Sequence, residues 1–186
     1  IGAAQLPTSI DVTYAQAAQL AADDDVRCVD GEVAAAMRAE VDRAKAAGDT
    51  VGGAFEVIAH GVPAGLGSHV QWDRKLDGLL AQALMSIHAI KAVGIGVGPA
   101  VGHLPGSQVH DEIVRGADTG AQGVFVRPTN RAGGLEGGIT NGEDVRASAW
   151  MKPIATLMTP LRSVDMGTLE PSDAAIERSA TCAVPA

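Results

Sequence analysis

Between Thr129 and Gly142 the chain reads Thr129-Asn130-Arg131-Ala132-Gly133-Gly134-Leu135-Glu136-Gly137-Gly138-Ile139-Thr140-Asn141-Gly142, with five glycines in the ten residues from Gly133 onward. Such a run cannot hold a helix or a long strand, because each glycine gives up side-chain packing and loses the most backbone entropy on ordering. Glycines gather where the backbone must turn through positive φ, or where a ligand or a second backbone comes very close. Two readings follow: a set of tight turns, or a loop that offers backbone N–H groups to an anion. Arg131 stands at the start of the run and Lys152 follows the strand-like segment after it, so charge and N–H dipoles together would suit a phosphate. The run matches neither a P-loop, which needs a Gly-Lys-Ser/Thr ending, nor the strand-GxGxxG-helix unit of a dinucleotide fold.

At 186 residues the chain suffices for one domain with a sizeable core. Aromatics make up only 3% of it, so the core is expected to be built from Ala, Val, Leu and Ile. A net charge of -8 argues against a nucleic-acid backbone as main partner. No apolar run approaches the ~20 residues of a membrane span, and no basic-then-apolar leader is present. Cys28 and Cys182 lie in no CxxC or Cys/His spacing and read as reduced, packed thiols of a cytoplasmic protein. The chain begins without Met at Ile1 and stops at Ala186 with no terminal helix, so both ends are expected to be internal to a longer chain.

The element pattern is mixed. Asp30 can cap a helix from about Glu32 to Ala47, with Val33, Met37, Val41 and Ala44 on one face and Gly48 as its stop. Val51 to Ala59 reads as a strand leading into the Gly61 to Ser68 loop. Leu76, Leu80, Leu84, Ile87 and Lys91 recur every three or four residues and predict one long helix from Asp73 to Lys91, with Val93 to Val97 either a short buried strand or the helix's continuation. Val124 to Arg127 reads as a strand into the glycine run. Beyond the run, Val145, Ala147, Ala149 and Met151 alternate with Arg146, Ser148 and Trp150, as a half-buried strand does. Asp173 to Glu177 reads as the start of another helix. Together these elements predict a single domain of α/β or α+β class.

Several polar groups have plain structural roles. His110-Asp111-Glu112 invites a metal reading, but adjacent residues of an extended chain point to opposite faces, so a structural or pocket-lining role is expected. Asp73 to Asp77 reads as a solvated helix start with local ion pairs. Trp72 and Trp150 are expected to be packing anchors, and Asp49 and Thr50 to be turn or capping groups.

The blocks Gly48-Asp49-Thr50-Val51-Gly52-Gly53, Gly61 to Ser68 with His69 to Asp77, Ala83 to Ile87 with Ala89-Ile90-Lys91, and Gly106 to Glu112 form an ordered series. It continues through Thr129 to Gly142, Met151 to Thr156, Ser163-Val164-Asp165 and Glu177-Arg178-Ser179. In this order the series resembles the central and carboxyl-terminal part of chorismate synthase, from about Gly48 to Ala186. The resemblance implies a truncated β-α-β sandwich, with helices enclosed between sheets, assembled as a homotetramer. It also implies removal of phosphate from 5-enolpyruvylshikimate 3-phosphate to give chorismate, with reduced FMN and no net redox change; NADPH is a candidate reductant. Flavin-contacting positions then fall on His88 and Ala89 at the end of the long helix, on Gly137, on Lys152-Pro153-Ile154-Ala155-Thr156 and on Arg178. Lys152 and Thr156 would meet the FMN phosphate, and Arg178 would lie between flavin and substrate phosphate, a task suited to a guanidinium.

The departures from the pattern are equally specific. Ala180 stands where the family carries the Asp that assists proton transfer at the flavin. Gly94 and Val97 replace usual acidic residues, Pro99 replaces a usual Phe, and His88 stands where Asn or Gln is common, which makes its charge pH dependent. The family's Gly-Glu-Ser-His-Gly segment, its second active-site histidine and its Ser-Ala-Arg segment precede the region represented by this chain. None of His60, His69, His88, His103 or His110 inherits those roles, so part of a flavin pocket is expected and no catalytic residue.

Overall fold

The computed structural model describes residues 1–7, 11–116 and 125–177. In chain order its elements are α1 (Tyr14–Ala17), α2 (Gly31–Ala46), β1 (Gly53–Ala59), α3 (Leu76–Met85), β2 (Ile90–Ile95), β3 (Val114–Arg115), β4 (Phe125–Val126), β5 (Leu135–Glu136), β6 (Ile139–Thr140), β7 (Val145–Met151), β8 (Arg162–Val164) and β9 (Pro171–Asp173), with 3-10 turns at Trp72–Arg74, Gly98–His103 and Gly106–Gln108. A three-stranded sheet has the order β1-β7-β2, and β3-β4, β5-β6 and β8-β9 form two-stranded sheets. The mixed α/β expectation holds. The chain divides into two compact units, Ile1–Phe55 with Trp150–Ala186, and Glu56–Ala149.

In the first unit α2 forms as its sequence dictates. The Asp30 carboxylate accepts from the backbone N–H of Glu32 at 2.9 Å and of Val33 at 3.0 Å, an N-cap worth about 1 kcal/mol. Glu32 in the first turn and Arg43 and Lys45 in the last suit the helix dipole. Gly48 ends the helix at φ +68°. Ala34 and Ala44 are buried, as is the free thiol of Cys28 nearby in sequence.

Further on, β8 and β9 pair antiparallel, Arg162 opposite Asp173 and Val164 opposite Pro171. The Asp165 carboxylate accepts from the N–H groups of Gly167 and Thr168, each at 2.8 Å, and this closes the turn. The helix expected from Asp173 is therefore absent: Asp173 is the last residue of β9, and the rest of the stretch to Glu177 is irregular. Pairing with β8, eleven residues earlier at the Arg162–Asp173 position, wins over local helix propensity.

In the second unit the predicted Asp73–Lys91 helix is too long at both ends. Trp72–Arg74 is a 3-10 turn, α3 spans Leu76–Met85, and Ile90 already belongs to β2. The Ser86 hydroxyl donates to the Ala83 carbonyl at 2.6 Å, and Ala89 turns the chain through φ +69°. Ile90, 3% exposed, becomes the anchor of a strand. Trp72 is 83% exposed and packs no core in this chain, contrary to expectation, whereas Trp150 is half-buried. Lys75 and Asp77 form the expected local ion pair at 3.5 Å. In β7 burial alternates as predicted, with Val145, Ala147, Ala149 and Met151 all buried. The predicted Val124–Arg127 strand is observed as β4; Val124 lies outside the described residues. No described helix is long and apolar enough to cross a membrane.

Candidate functional site

The glycine run folds as a hairpin. Leu135 pairs with Thr140 and Glu136 with Ile139, leaving Gly137 and Gly138 as a two-residue turn. Both have positive φ, +63° and +91°, the combination of a type I′ turn and the reason two glycines stand together there. Beneath it Thr140, 2% exposed, organises the Gly61 to Ser68 loop. Its hydroxyl donates to the Pro63 carbonyl at 2.6 Å and accepts from the Leu66 N–H at 2.9 Å. The Gly138 carbonyl accepts from the Leu76 N–H at 2.9 Å, so the turn also satisfies one amide at the start of α3.

The entry to the hairpin is held by Asp111. Its carboxylate accepts from the Thr129 hydroxyl at 2.6 Å and from the N–H groups of Arg131 and Ala132, each at 2.9 Å. Burial by itself would raise the Asp111 carboxyl; the Thr129 hydroxyl, the Ala132 and Arg131 amides and the charge of Arg131 outweigh it and hold the group below its ordinary value. Asn130 adds a second clamp, donating to the Asp144 carbonyl at 2.8 Å and accepting from the Gly134 N–H at 2.7 Å. The Gly133 N–H reaches the Asn130 carbonyl at 3.2 Å. These two glycine amides are thus used inside the loop, in keeping with the tight-turn reading of the run. Gly133 is there for proximity: a Cβ on it would strike the backbone of Gly96.

Gly137 is different, since a Cβ placed on it meets nothing within 4 Å. It borders a cavity of about 370 Å³, lined among others by Asp77, Val109, His110, Asp111, Arg131 and Glu136. Glu136 is engaged by Arg127 at 2.8 Å and by the Asn141 amide at 3.0 Å. Among the described residues no group of three metal-ligating side chains occurs. Asp111 has the structural, pocket-lining role expected.

The remaining predicted positions fall as follows. His88 and Ala89 belong to the second unit and form the turn between α3 and β2, not the end of a helix. Lys152-Pro153-Ile154-Ala155-Thr156 belongs to the first unit and follows β7 as irregular chain. Lys152 is exposed and has no ion pair with a described residue. Arg178 and Ala180 lie outside the described residues, as does Cys182. Three polar residues with a clear part in this geometry were not singled out for it from sequence: Asn130, Thr140 and Thr50. The last donates its hydroxyl to the Ile154 carbonyl at 2.7 Å. Their short polar side chains inside glycine-rich blocks are the available signal.

The fold defined by these elements is a mixed α/β one, with bare glycine backbone at the rim of a polar cavity in its second unit. The comparisons with known proteins make the class particular. The family model for chorismate synthase matches residues 4–186, and the chain belongs to the chorismate synthase family. It is 58% identical over 171 residues to the chorismate synthase of Moorella thermoacetica, covering 92% of this chain and 44% of that protein. Against that of Geobacter sulfurreducens it is 57% identical over 171 residues, covering 90% and 44%. Against that of Pelobacter propionicus it is 59% identical over 164 residues, covering 86% and 41%. A solved structure titled "Crystal Structure of Chorismate Synthase" superposes with a TM-score of 0.62 at 47% identity, over 68% of this chain and 37% of that one. The chain therefore has part of the chorismate synthase fold and spans less than half the length of these relatives.

Proposed function

We propose that the chain is part of a single chorismate synthase core, a lyase that removes phosphate from 5-enolpyruvylshikimate 3-phosphate by 1,4-elimination and yields chorismate in the shikimate pathway of aromatic amino-acid biosynthesis. The observation that carries this reading is identity of 58% sustained over 92% of the chain. Reduced FMN, when bound, supplies transient electron density to the eliminating substrate and is restored at the end. This chain's residues fit such a group in two respects: Gly137 leaves open backbone beside a polar cavity, and Lys152 is an exposed cation without a carboxylate partner among the described residues. On this reading, which follows the family resemblance, Lys152 and Thr156 would meet the FMN phosphate, His88, Ala89 and Gly137 would be flavin-contacting positions, and Arg178 would supply a guanidinium for phosphate. Cationic side chains beside the departing phosphate would stabilise the negative charge that develops on it.

The same reading has the enzyme cytoplasmic and homotetrameric, with NADPH as the reductant of its flavin. A second reading starts from Ala180, which by the family resemblance stands where an aspartate is usual. On it, this chain by itself is a catalytically inactive fragment with a partial flavin and phosphate pocket. One experiment tests both: intact mass of the purified protein, then anaerobic incubation of that material with 5-enolpyruvylshikimate 3-phosphate and reduced FMN. Stoichiometric release of phosphate and chorismate by a species heavier than 18.9 kDa supports the enzyme reading. No release at saturating reduced FMN from the complete protein overturns it, and no release from an 18.9 kDa species supports the fragment reading.

A further inference from the structure

The block Gly48-Asp49-Thr50-Val51-Gly52-Gly53 is more than the turn after α2. Three points along it fix the segment that follows β7. The Gly48 carbonyl accepts from the Thr159 N–H at 3.0 Å. The Thr50 hydroxyl donates to the Ile154 carbonyl at 2.7 Å. Gly52 lies so close to Met151 and Pro153 that a Cβ there would collide with the Met151 carbonyl and stand 3.0 Å from the Pro153 nitrogen. The block is itself tied to the end of α2, where the Asp49 N–H reaches the Ala44 carbonyl at 2.9 Å.

The central tether matters most. After Met151 the chain leaves β7, and from Lys152 to Ile154 it has no regular secondary structure. Pro153 has no N–H to give to a ladder. The Thr50–Ile154 bond falls at the middle residue of Lys152-Pro153-Ile154-Ala155-Thr156, two residues from each of the polar side chains at its ends. We propose that Thr50 is a positioning residue, whose hydroxyl fixes the Ile154 carbonyl and thereby the direction in which Lys152 and Thr156 are presented to an anionic group. Gly52 is the accompanying spacer that lets Pro153 lie against the block. This inference rests on the reading of Lys152–Thr156 as the segment that holds the FMN phosphate. Thr50 touches neither flavin nor substrate in it; its part is to remove freedom from the segment before the ligand arrives, which lowers the ordering cost of binding.

The test uses the complete protein that carries this sequence, titrated with FMN in the presence of 5-enolpyruvylshikimate 3-phosphate and followed by flavin fluorescence, with kcat measured at saturating reduced FMN. Thr50→Val keeps the shape and removes the donor, Thr50→Ser keeps the donor, and Lys152→Ala reports whether the segment meets the ligand at all. The expected result is at least a tenfold rise in the FMN Kd for T50V, a value within twofold of the parent for T50S, and kcat for T50V within twofold of the parent. If K152A weakens FMN while T50V leaves it within twofold, the positioning role falls and the phosphate reading of the segment stands. If neither variant weakens FMN, that reading falls and takes the inference with it. Equal losses in T50V and T50S would assign the effect to packing and overturn the role of the hydroxyl. Should T50V fail to fold, Thr50→Cys, of similar size but a weak donor, is read by the same criteria.

Discussion

At the level of single residues Asp111 carries more than any neighbour, because three donors converge on one carboxylate. Asp111→Ala leaves the Thr129 hydroxyl and two backbone amides without their acceptor, and is expected to cost about 2–3 kcal/mol in urea unfolding. Its pH dependence has a definite sign. The folded-state carboxyl titrates below its ordinary value, so the stabilisation is complete above the unfolded pKa of about 4 and is lost as pH falls through the folded value. The stability gap between parent and Asp111→Ala should therefore be level from pH 7 to 5 and narrow in stronger acid. A gap that widened in acid would contradict the assignment. The bonds of Asp111 reach 18 to 21 residues along the chain, beyond any local pattern, which is why the sequence offered only the vague choice between pocket-lining and structural duty.

Among the elements, α2 and β7 were legible because burial and periodicity coincide: a cap, a stripe and a stop in one, strict alternation in the other. Asp30→Ala should lower stability by about 1 kcal/mol through the lost cap, checked by thermal unfolding. The α3–β2 region was misread for a specific reason. Leu76, Leu80, Leu84, Ile87 and Lys91 keep helical spacing straight through the helix end, and the reversal depends on Ala89 at φ +69°, a conformation that alanine does not advertise. A glycine at that position would have marked the stop. A similar conformation occurs in the β8–β9 connection, where Leu169 has φ +62° and is 76% exposed. Leu169→Gly relieves that strain with no packing loss, and should stabilise by about 0.5–1 kcal/mol; a lowered melting temperature would refute the strain argument. The β9 strand was missed because its partner, not its own residues, determines it.

For the molecule as a whole, the balance of surface is unusual. Nine buried hydrophobic residues stand against twenty large hydrophobic ones left exposed among the described residues, Val70 and Trp72 at 71% and 83%. No residue of α3, the most apolar helix, is buried. Relatives are more than twice as long, since the chain covers 44% of them. The 186-residue chain expressed by itself is therefore expected to enhance ANS fluorescence and to unfold with a shallow denaturant slope, while the complete protein shows neither. Equal ANS signals from both would refute this. The Thr50–Ile154 bond joins residues 104 positions apart, and a ribosome adding about 5–20 residues per second needs roughly 5–20 s to travel that distance. Between the emergence of Thr50 and that of Ile154 the segment after α2 is therefore exposed without its partner. Slowing elongation within residues 50–154 lengthens the wait, and whatever shields the nascent Gly48–Gly53 segment during it becomes a determinant of yield.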